Sequence, residues 1–195
     1  LAGFKQAGNP RPIVHCANSS AILQYPQTWK DMVRPGLALY GALPSSNLIG
    51  KVDSLIPFEK NILIPVMEWK SKIILLKHVS KGTFLGYGRQ FVAQRDSLIA
   101  ILPVGYADGL PRILSNKMKV IIRGKKAPQV GAICMDFCLI DVSEIKEVKE
   151  EDEVVIIGKQ GKNTILVEDV SKLAQTIPYE ILCSVGKRIP RIYIK

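Results

Sequence analysis

Two tyrosines in this chain sit among glycines, where an aromatic hydroxyl can be held out from the backbone. In Gly86-Tyr87-Gly88 both flanking residues accept backbone angles that other side chains avoid, so the ring can project from a loop towards a neighbour. Gly105-Tyr106-Ala107-Asp108-Gly109 has the same character, with Asp108-Gly109 as a turn signal. A turn carrying an incidental tyrosine explains either segment equally well. His15-Cys16-Ala17-Asn18-Ser19-Ser20 joins a β-prone run to a helix start, where free N–H groups and the helix dipole favour an anion such as phosphate; a simple N-cap by Asn18 or Ser19 is the plainer account. Arg34 stands beside Gly36, as a surface ion pair or as a group aimed at a ligand. Ile133-Cys134-Met135-Asp136 lies in a β-prone stretch where core packing is the default for Cys134 and Met135, whereas Asp136 would need a partner if buried.

The elements expected to position these residues change character along the chain. Pro12 to Cys16 reads as a short strand, Ala21 to Trp29 as a helix capped from Asn18-Ser19-Ser20, and Met32 to Tyr40 as a second strand entering the loop Gly41 to Ser46. Residues 48–65, interrupted by Pro57 and Pro65, read as a linker. Beyond it, Met67 to Val79, Ser97 to Leu102, Met118 to Ile122, Gln129 to Val142 and Glu153 to Ile157 are β-prone runs bounded by turn residues. Helices are expected over Val167 to Thr176, with Asp169 as N-cap, and over Pro178 to Val185. The pattern is α/β, then mainly β.

Composition narrows the function classes. With 47% hydrophobic and 23% charged residues in 195, the chain can bury a sizeable core and is not of the disordered kind. Its net charge of +10 favours an anionic partner. The excess is spread along the chain and only 7% of residues are aromatic, so a nucleic-acid groove is not expected. Neither is a membrane span, since no apolar run approaches the roughly 20 residues one needs. The start, Leu1-Ala2-Gly3-Phe4, has neither an initiator Met nor a secretory layout, so a fragment or processed product is expected. Cys16, Cys134, Cys138 and Cys183 form no C-x-x-C pair; no metal site is expected, and each thiol reads as a small buried hydrophobe suited to a reducing cytoplasm.

The order of the motifs is more informative than any one of them: H-x-A-N-S-S-A, D-M-V-R-P-G-L-A-L-Y-G, L-G-Y-G-R, P-V-G-Y-A-D-G-L-P-R, V-G-x-I-C-M-D, Y-E-I-L-C and R-I-P-R-I-Y, running from His15 to Tyr193. This succession closely resembles the C-terminal half of bacterial alanine racemases, enzymes whose pyridoxal 5'-phosphate sits in a (β/α)8 barrel followed by a mainly β domain. A full barrel takes about 250 residues, so the resemblance implies that residues 1–62 hold its last strands and helices and that 63–195 form the β domain.

By the same resemblance, Ser19, the backbone at Gly36 and Leu37, and the Tyr179 hydroxyl hold the cofactor phosphate. Arg34 faces the pyridine nitrogen with His15 behind it. A guanidinium does not surrender a proton, which would weaken the cofactor as an electron sink and favour racemisation over transamination. Tyr87 matches the tyrosine that serves as base for L-alanine; Tyr106 lines the mouth of the site and Met135 meets the substrate through its backbone. In the homodimer these three would act on the partner's cofactor. The opposite face of Cα belongs to the Schiff-base lysine, which no stretch of these residues matches, so this chain by itself is expected to be inactive. Ala132 stands where the family often has arginine, and Phe137 where it often has glutamine. The implied function is interconversion of L- and D-alanine for peptidoglycan, in the cytoplasm. A broader racemase acting on serine, or a non-catalytic basic module that binds polyanions, are the rival readings.

Overall fold

The computed structural model describes residues 10–44 and 63–194, which fall into two units, Leu1–Val66 and Met67–Lys195. The linker expected over 48–65 lies, up to residue 62, outside the described residues.

In the first unit α1 (Ser19–Gln24) is shorter than the pattern suggested. Asn18 caps it by accepting the Ala21 N–H at 3.0 Å. Pro26 ends it, because proline has no N–H to give and forces the preceding residue out of the helical region; a 3₁₀ turn over Pro26–Thr28 follows instead. Neither expected strand forms as an extended element among the described residues. The pairing seen here is one parallel bridge from Arg34 to Asn18, just beyond the first expected strand, with the Arg34 N–H donating to Ala17 O at 2.8 Å. Leu37–Tyr40 is a 3₁₀ turn rather than the end of a strand. The β-prone side chains are present, but strand propensity is mostly a matter of fitting against neighbouring strands. Leu23 anchors this unit against Trp29, Leu43 and Leu63.

The second unit is built on one antiparallel sheet. Its strands are β1 (Trp69–Lys72), β2 (Leu75–Val79), β5 (Ser97–Leu102), β6 (Lys119–Ile122), β7 (Lys125–Val130), β8 (Cys138–Asp141), β9 (Glu153–Gln160) and β10 (Asn163–Ile165); β3 (Phe84–Leu85) and β4 (Phe91–Val92) pair separately as a small hairpin. The order is β1-β9-β6-β7-β8-β5-β2, with β10 also on β9. The run read as continuous from Met67 to Val79 is thus two strands at opposite ends of this order. Only Ile73 and Ile74 separate them. The Ile73 N–H donates to Asp152 O beside β9, and the Ile74 N–H to Ile101 O on β5, so the sheet curls until its two ends meet. Ile73 is fully buried at that junction, and Ile121, Ile122, Ile140, Ile156 and Leu102 fill the interior.

Gln129 to Val142 also divides, into β7 and β8, with residues 131–137 as a loop between them. Gly131, at φ +74°, takes the chain out of the extended region where β7 ends. Beyond the sheet come α2 (Val167–Leu173) and α3 (Pro178–Ser184). Asp169 is not the N-cap of α2. It occupies the third helical position, and its carboxylate accepts the N–H of the capping residue Leu166 at 3.0 Å. Among the described residues no helix is long and apolar enough to cross a membrane.

The cysteines correct another expectation. Cys138 is buried and Cys134 half-buried, but Cys16 and Cys183 are exposed. Cys183 lies two residues beyond buried Ile181 on α3, which turns it to the opposite face; Cys16 lies in the run that forms no strand. Burial pushes the Cys138 thiol up to about 12, leaving a thiolate fraction on the order of 10⁻⁴ at pH 8. Titration of the native chain with an aromatic disulfide reagent should therefore label Cys16 and Cys183 at once, Cys134 more slowly, and Cys138 only after denaturant. Labelling of Cys138 at the rate of Cys183 would contradict this packing.

Candidate active site

Strand register brings three loops of the second unit to one end of the sheet. Leu102, the last residue of β5, lies opposite Cys138, the first of β8, and Val130, which ends β7, pairs with Leu139. The segment after β5 and the β7–β8 loop therefore emerge side by side. Gly105 lets them touch: a Cβ at this position would come 2.2 Å from Cys134 O and 2.3 Å from Met135 O. In its absence the Tyr106 N–H donates to Cys134 O and the Ala107 N–H to Met135 O, each at 3.0 Å.

The β7–β8 loop is fixed from beneath by the buried Gln129 and by Asn116 and Ser115 nearer the surface. Gln129, 2% exposed, accepts the Asn116 N–H at 2.7 Å and donates to Val130 O and Gly131 O at 2.9 and 2.8 Å. Asn116 in turn accepts the Gly131 N–H at 2.6 Å, and Ser115 Oγ accepts that of Ile133 at 3.0 Å. The buried Gln129 amide has its oxygen and its nitrogen both bonded, which is the condition under which a buried polar group gives rigidity.

On this base rests the turn between β3 and β4. Gly86, at φ +75°, packs so closely on Gly131 and Ala132 that a Cβ would fall 2.8 Å from Ala132 N. Tyr87 follows at once, 79% exposed, and its hydroxyl makes no hydrogen bond among the described residues. Tyr87, Tyr106 and Met135 thus border one open cavity of about 550 Å³, with Arg112 and Phe137 on its walls. The Met135 N–H is unpaired among the described residues. Met135 reaches this place from a loop and not, as its β-prone setting implied, from a strand.

A second cluster lies in the first unit. Ser19 Oγ, on a residue 1% exposed, accepts the N–H groups of Gly36 and Ala38 at 2.9 and 3.2 Å. With its acceptor side engaged, its own hydrogen is free to point at an anion. The Leu37 N–H heads the 3₁₀ turn and has no partner among the described residues. Nearby, Arg34 Nη1 lies 2.7 Å from His15 Nδ1 and 3.3 Å from His15 O. Because guanidinium only donates, Nδ1 must accept and the imidazole proton sits on Nε2. Tyr179 belongs to neither group; it occupies the first turn of α3.

The sequence motif R-I-P-R-I-Y includes Arg188 as its first residue, but the reading of the sequence gave it no role. Arg188 pairs with Asp108 and Asp136, which hold its guanidinium above its ordinary pKa, Asp136 by a hydrogen bond and Asp108 by charge. The available signal was an aspartate, Asp108, between apolar neighbours. The reading also missed the Gln129–Asn116 network, which nothing in residues 115–131 announces.

A family model described as "Alanine racemase, C-terminal domain" matches residues 66–193, and one described as "Alanine racemase, N-terminal domain" matches residues 1–44. The chain belongs to the alanine racemase family. It is 50% identical over 193 residues to the alanine racemase of Halothermothrix orenii, covering 99% of this chain and 48% of the relative. With alanine racemase 2 of Caldanaerobacter subterraneus subsp. tengcongensis it shares 46% identity over 194 residues, 100% of this chain and 48% of the relative. Among solved structures, the alanine racemase of Bacillus anthracis with bound L-Ala-P superposes with a TM-score of 0.88 at 33% identity, over 100% of this chain and 48% of that one. That of Bartonella henselae, with covalently bound pyridoxal phosphate, gives 0.80 at 37% identity, over 99% and 50%. The chain thus spans about half the length of the racemases it matches. Its two matched stretches, residues 1–44 and 66–193, correspond to the N- and C-terminal family models in that order.

Within this racemase β domain, Gly105 is the tightest constraint on the cavity. Gly105→Ala should force the Tyr106 turn away from Met135, destabilising the unit by about 1–3 kcal/mol; the midpoint of urea unfolding would show it. An unchanged midpoint would mean that the two loops can part freely.

Proposed function

We propose that this chain is the C-terminal portion of a pyridoxal-phosphate-dependent alanine racemase that interconverts L- and D-alanine by a two-base mechanism. The observation that carries the reading is the cavity where the free Tyr87 hydroxyl, Tyr106 and the unpaired Met135 N–H come together. Inversion at Cα needs one group to take a proton from one face and another to return one to the opposite face. Tyr87 supplies the group for L-alanine. A phenol accepts a proton only as its oxyanion, so the hydroxyl must be deprotonated in the assembled site before it can take the Cα proton.

The donor set of the first unit suits a phosphate ester. Ser19 can donate its hydroxyl hydrogen, Leu37 offers an N–H, and Gly36 has no side chain to obstruct an approaching group. Tyr179 adds a hydroxyl from α3 in the assembled enzyme. Pyridoxal phosphate, when bound, delocalises the negative charge left at Cα as its proton departs. Arg34, steadied by His15, supplies a hydrogen bond at the pyridine nitrogen and gives up no proton there, because guanidinium stays charged at all working pH values. The Met135 N–H suits a substrate carboxylate oxygen, and Tyr106 narrows the mouth of the site.

We assign the organisation to a homodimer in which residues 63–195 of each subunit cover the barrel, ending at about residue 62, of the other. Tyr87, Tyr106 and Met135 would then serve the partner's cofactor. D-alanine made this way feeds peptidoglycan synthesis in the cytoplasm, a reducing compartment that suits four unpaired thiols. No segment of these 195 residues matches the family's cofactor-binding lysine, so by themselves they should show no racemisation when supplied with pyridoxal phosphate. Turnover by this chain alone would overturn that assignment.

The decisive variant is Tyr87→Phe in the enzyme completed with its barrel. Ring packing is kept, so the unfolding midpoint should hold, while racemisation falls on the order of 100- to 10,000-fold. Exchange of the Cα proton of L-alanine with deuterated solvent should collapse, and exchange from D-alanine should survive better. Mixing Tyr87→Phe subunits with subunits lacking the lysine should restore one working site per heterodimer. Equal losses for both enantiomers, or no complementation, would remove Tyr87 as a one-sided base acting across the interface.

A further inference from the structure

Beside the cavity one guanidinium joins two loops that are far apart in sequence. Arg188 follows α3. Its Nε lies 3.2 Å from Asp108 Oδ1, and its Nη2 donates to Asp136 Oδ1 at 2.8 Å. Asp108 ends the 3₁₀ turn that Tyr106 begins and is 3% exposed. Its other oxygen accepts the Gly105 N–H at 2.9 Å, so each carboxylate oxygen has a partner. Asp136 is the immediate neighbour of Met135 and lines the cavity with it.

The arm that carries Arg188 is itself tied down. Ser184 Oγ donates to Gly109 O at 2.9 Å, and the Gly186 N–H to Asp108 O at 2.8 Å. Arg191 donates to Val185 O, Gly186 O and Ile189 O, wrapping the backbone on either side of Arg188. The guanidinium therefore reaches out from a fixed support. It holds each loop by side chains, at Asp108 and Asp136, one residue beyond the backbone bonds that Tyr106 and Ala107 make to Cys134 and Met135.

We propose that Arg188 is a positioning residue for the substrate end of the cavity, acting through Asp108 on Tyr106 and through Asp136 on the Met135 N–H. The proposal rests on the racemase reading for its consequence in catalysis, but not for its geometry. The fork of Nε and Nη2 serves two carboxylates at once; a lysine ammonium is a point charge on a flexible stem and cannot hold both in one geometry. Loss of the guanidinium leaves Asp108 buried with an unpaired oxygen, which favours opening of the Tyr106 turn towards water. Groups that hold the substrate carboxylate are disturbed, while Tyr87, seated on Gly131 and Ala132, is not. The effect belongs in KM more than in kcat.

Amide hydrogen exchange on the 195-residue chain tests the geometry without calling on activity. In Arg188→Gln the Tyr106 and Ala107 amides should exchange about tenfold faster or more, with Ile121 and Ile156 in the core unchanged. In the completed enzyme KM for alanine should rise about tenfold or more and kcat change less than about threefold. Arg188→Lys should recover part of the loss. Asp136→Asn, which removes the charge from one arm and leaves buried Asp108 paired, should show a smaller shift of the same kind. The double variant Arg188→Gln with Asp136→Asn should be no worse than Arg188→Gln alone. Uniform acceleration of exchange that includes Ile121, unchanged exchange at Tyr106 and Ala107, additive effects in the double variant, or a fall in kcat at constant KM would each overturn the proposal. Should Arg188→Gln fail to fold, unchanged exchange and KM in Asp136→Asn would do so too. A completed wild-type enzyme that does not racemise alanine would instead overturn the proposed function, and the exchange data would still decide the role of Arg188.

Discussion

Two backbone hydrogen bonds, from the Tyr106 N–H to Cys134 O and from the Ala107 N–H to Met135 O, hold the second unit's cavity in shape. They require two main chains to approach more closely than any side chain at residue 105 would permit, and so depend on the missing Cβ of Gly105. Other contacts at this end of the sheet build outward from that point. The Met135 carbonyl is occupied by Ala107, while its N–H remains unpaired among the described residues. Gln129 and Asn116 fix Gly131 below, and Gly86 rests on Gly131 and Ala132 in turn. The position of Tyr87 is thus set by a chain of backbone contacts and does not depend on any bond to its hydroxyl.

How much of this the sequence discloses depends on whether the cause is local. Ser97 to Leu102 and Met118 to Ile122 are legible because β-branched and leucine residues crowd short runs bounded by turn formers, and the observed strands match them closely. Pro12 to Cys16 and Met32 to Tyr40 carry the same propensity, yet among the described residues the first forms no ladder and the second only one bridge, from Arg34 to Asn18, because a strand is stabilised by its neighbours across the sheet. The split of Met67 to Val79 was equally invisible: the bend at Ile73 and Ile74 answers to Asp152 and Ile101, both distant in sequence. In the cavity, Tyr87 and Tyr106 were marked by glycines at their sides. Arg188 opens the motif R-I-P-R-I-Y, but its role was not legible, because its partner Asp136 is 52 residues away and a pairing over that distance leaves no periodic trace.

The two clusters also differ in how their functional atoms are held. Ser19 and Arg34 are braced from within their own unit, Ser19 by two N–H groups and Arg34 by His15. That bracing suits the binding roles proposed for them, in which each group keeps its protons. It orients the donor, lowers the entropy lost on binding, and asks for no bond to be broken during the reaction.

Tyr87 is held in the opposite manner. Its backbone is confined by Gly86 and the Gly131–Ala132 segment, while its hydroxyl makes no bond among the described residues and its ring is 79% exposed. In the base role proposed for Tyr87, a hydroxyl engaged with its own protein would have to release that partner in every turnover, adding the lost hydrogen bond, typically about 1 kcal/mol, to the barrier for proton transfer. A bare hydroxyl on an immobile turn avoids this cost and keeps the geometric precision that acid–base catalysis requires. Rigidity supplied through the main chain is therefore compatible with a chemically free side-chain terminus. The glycines beside Tyr87 secure that combination: they allow the close backbone packing that fixes the turn and place no side chain between the ring and the cavity.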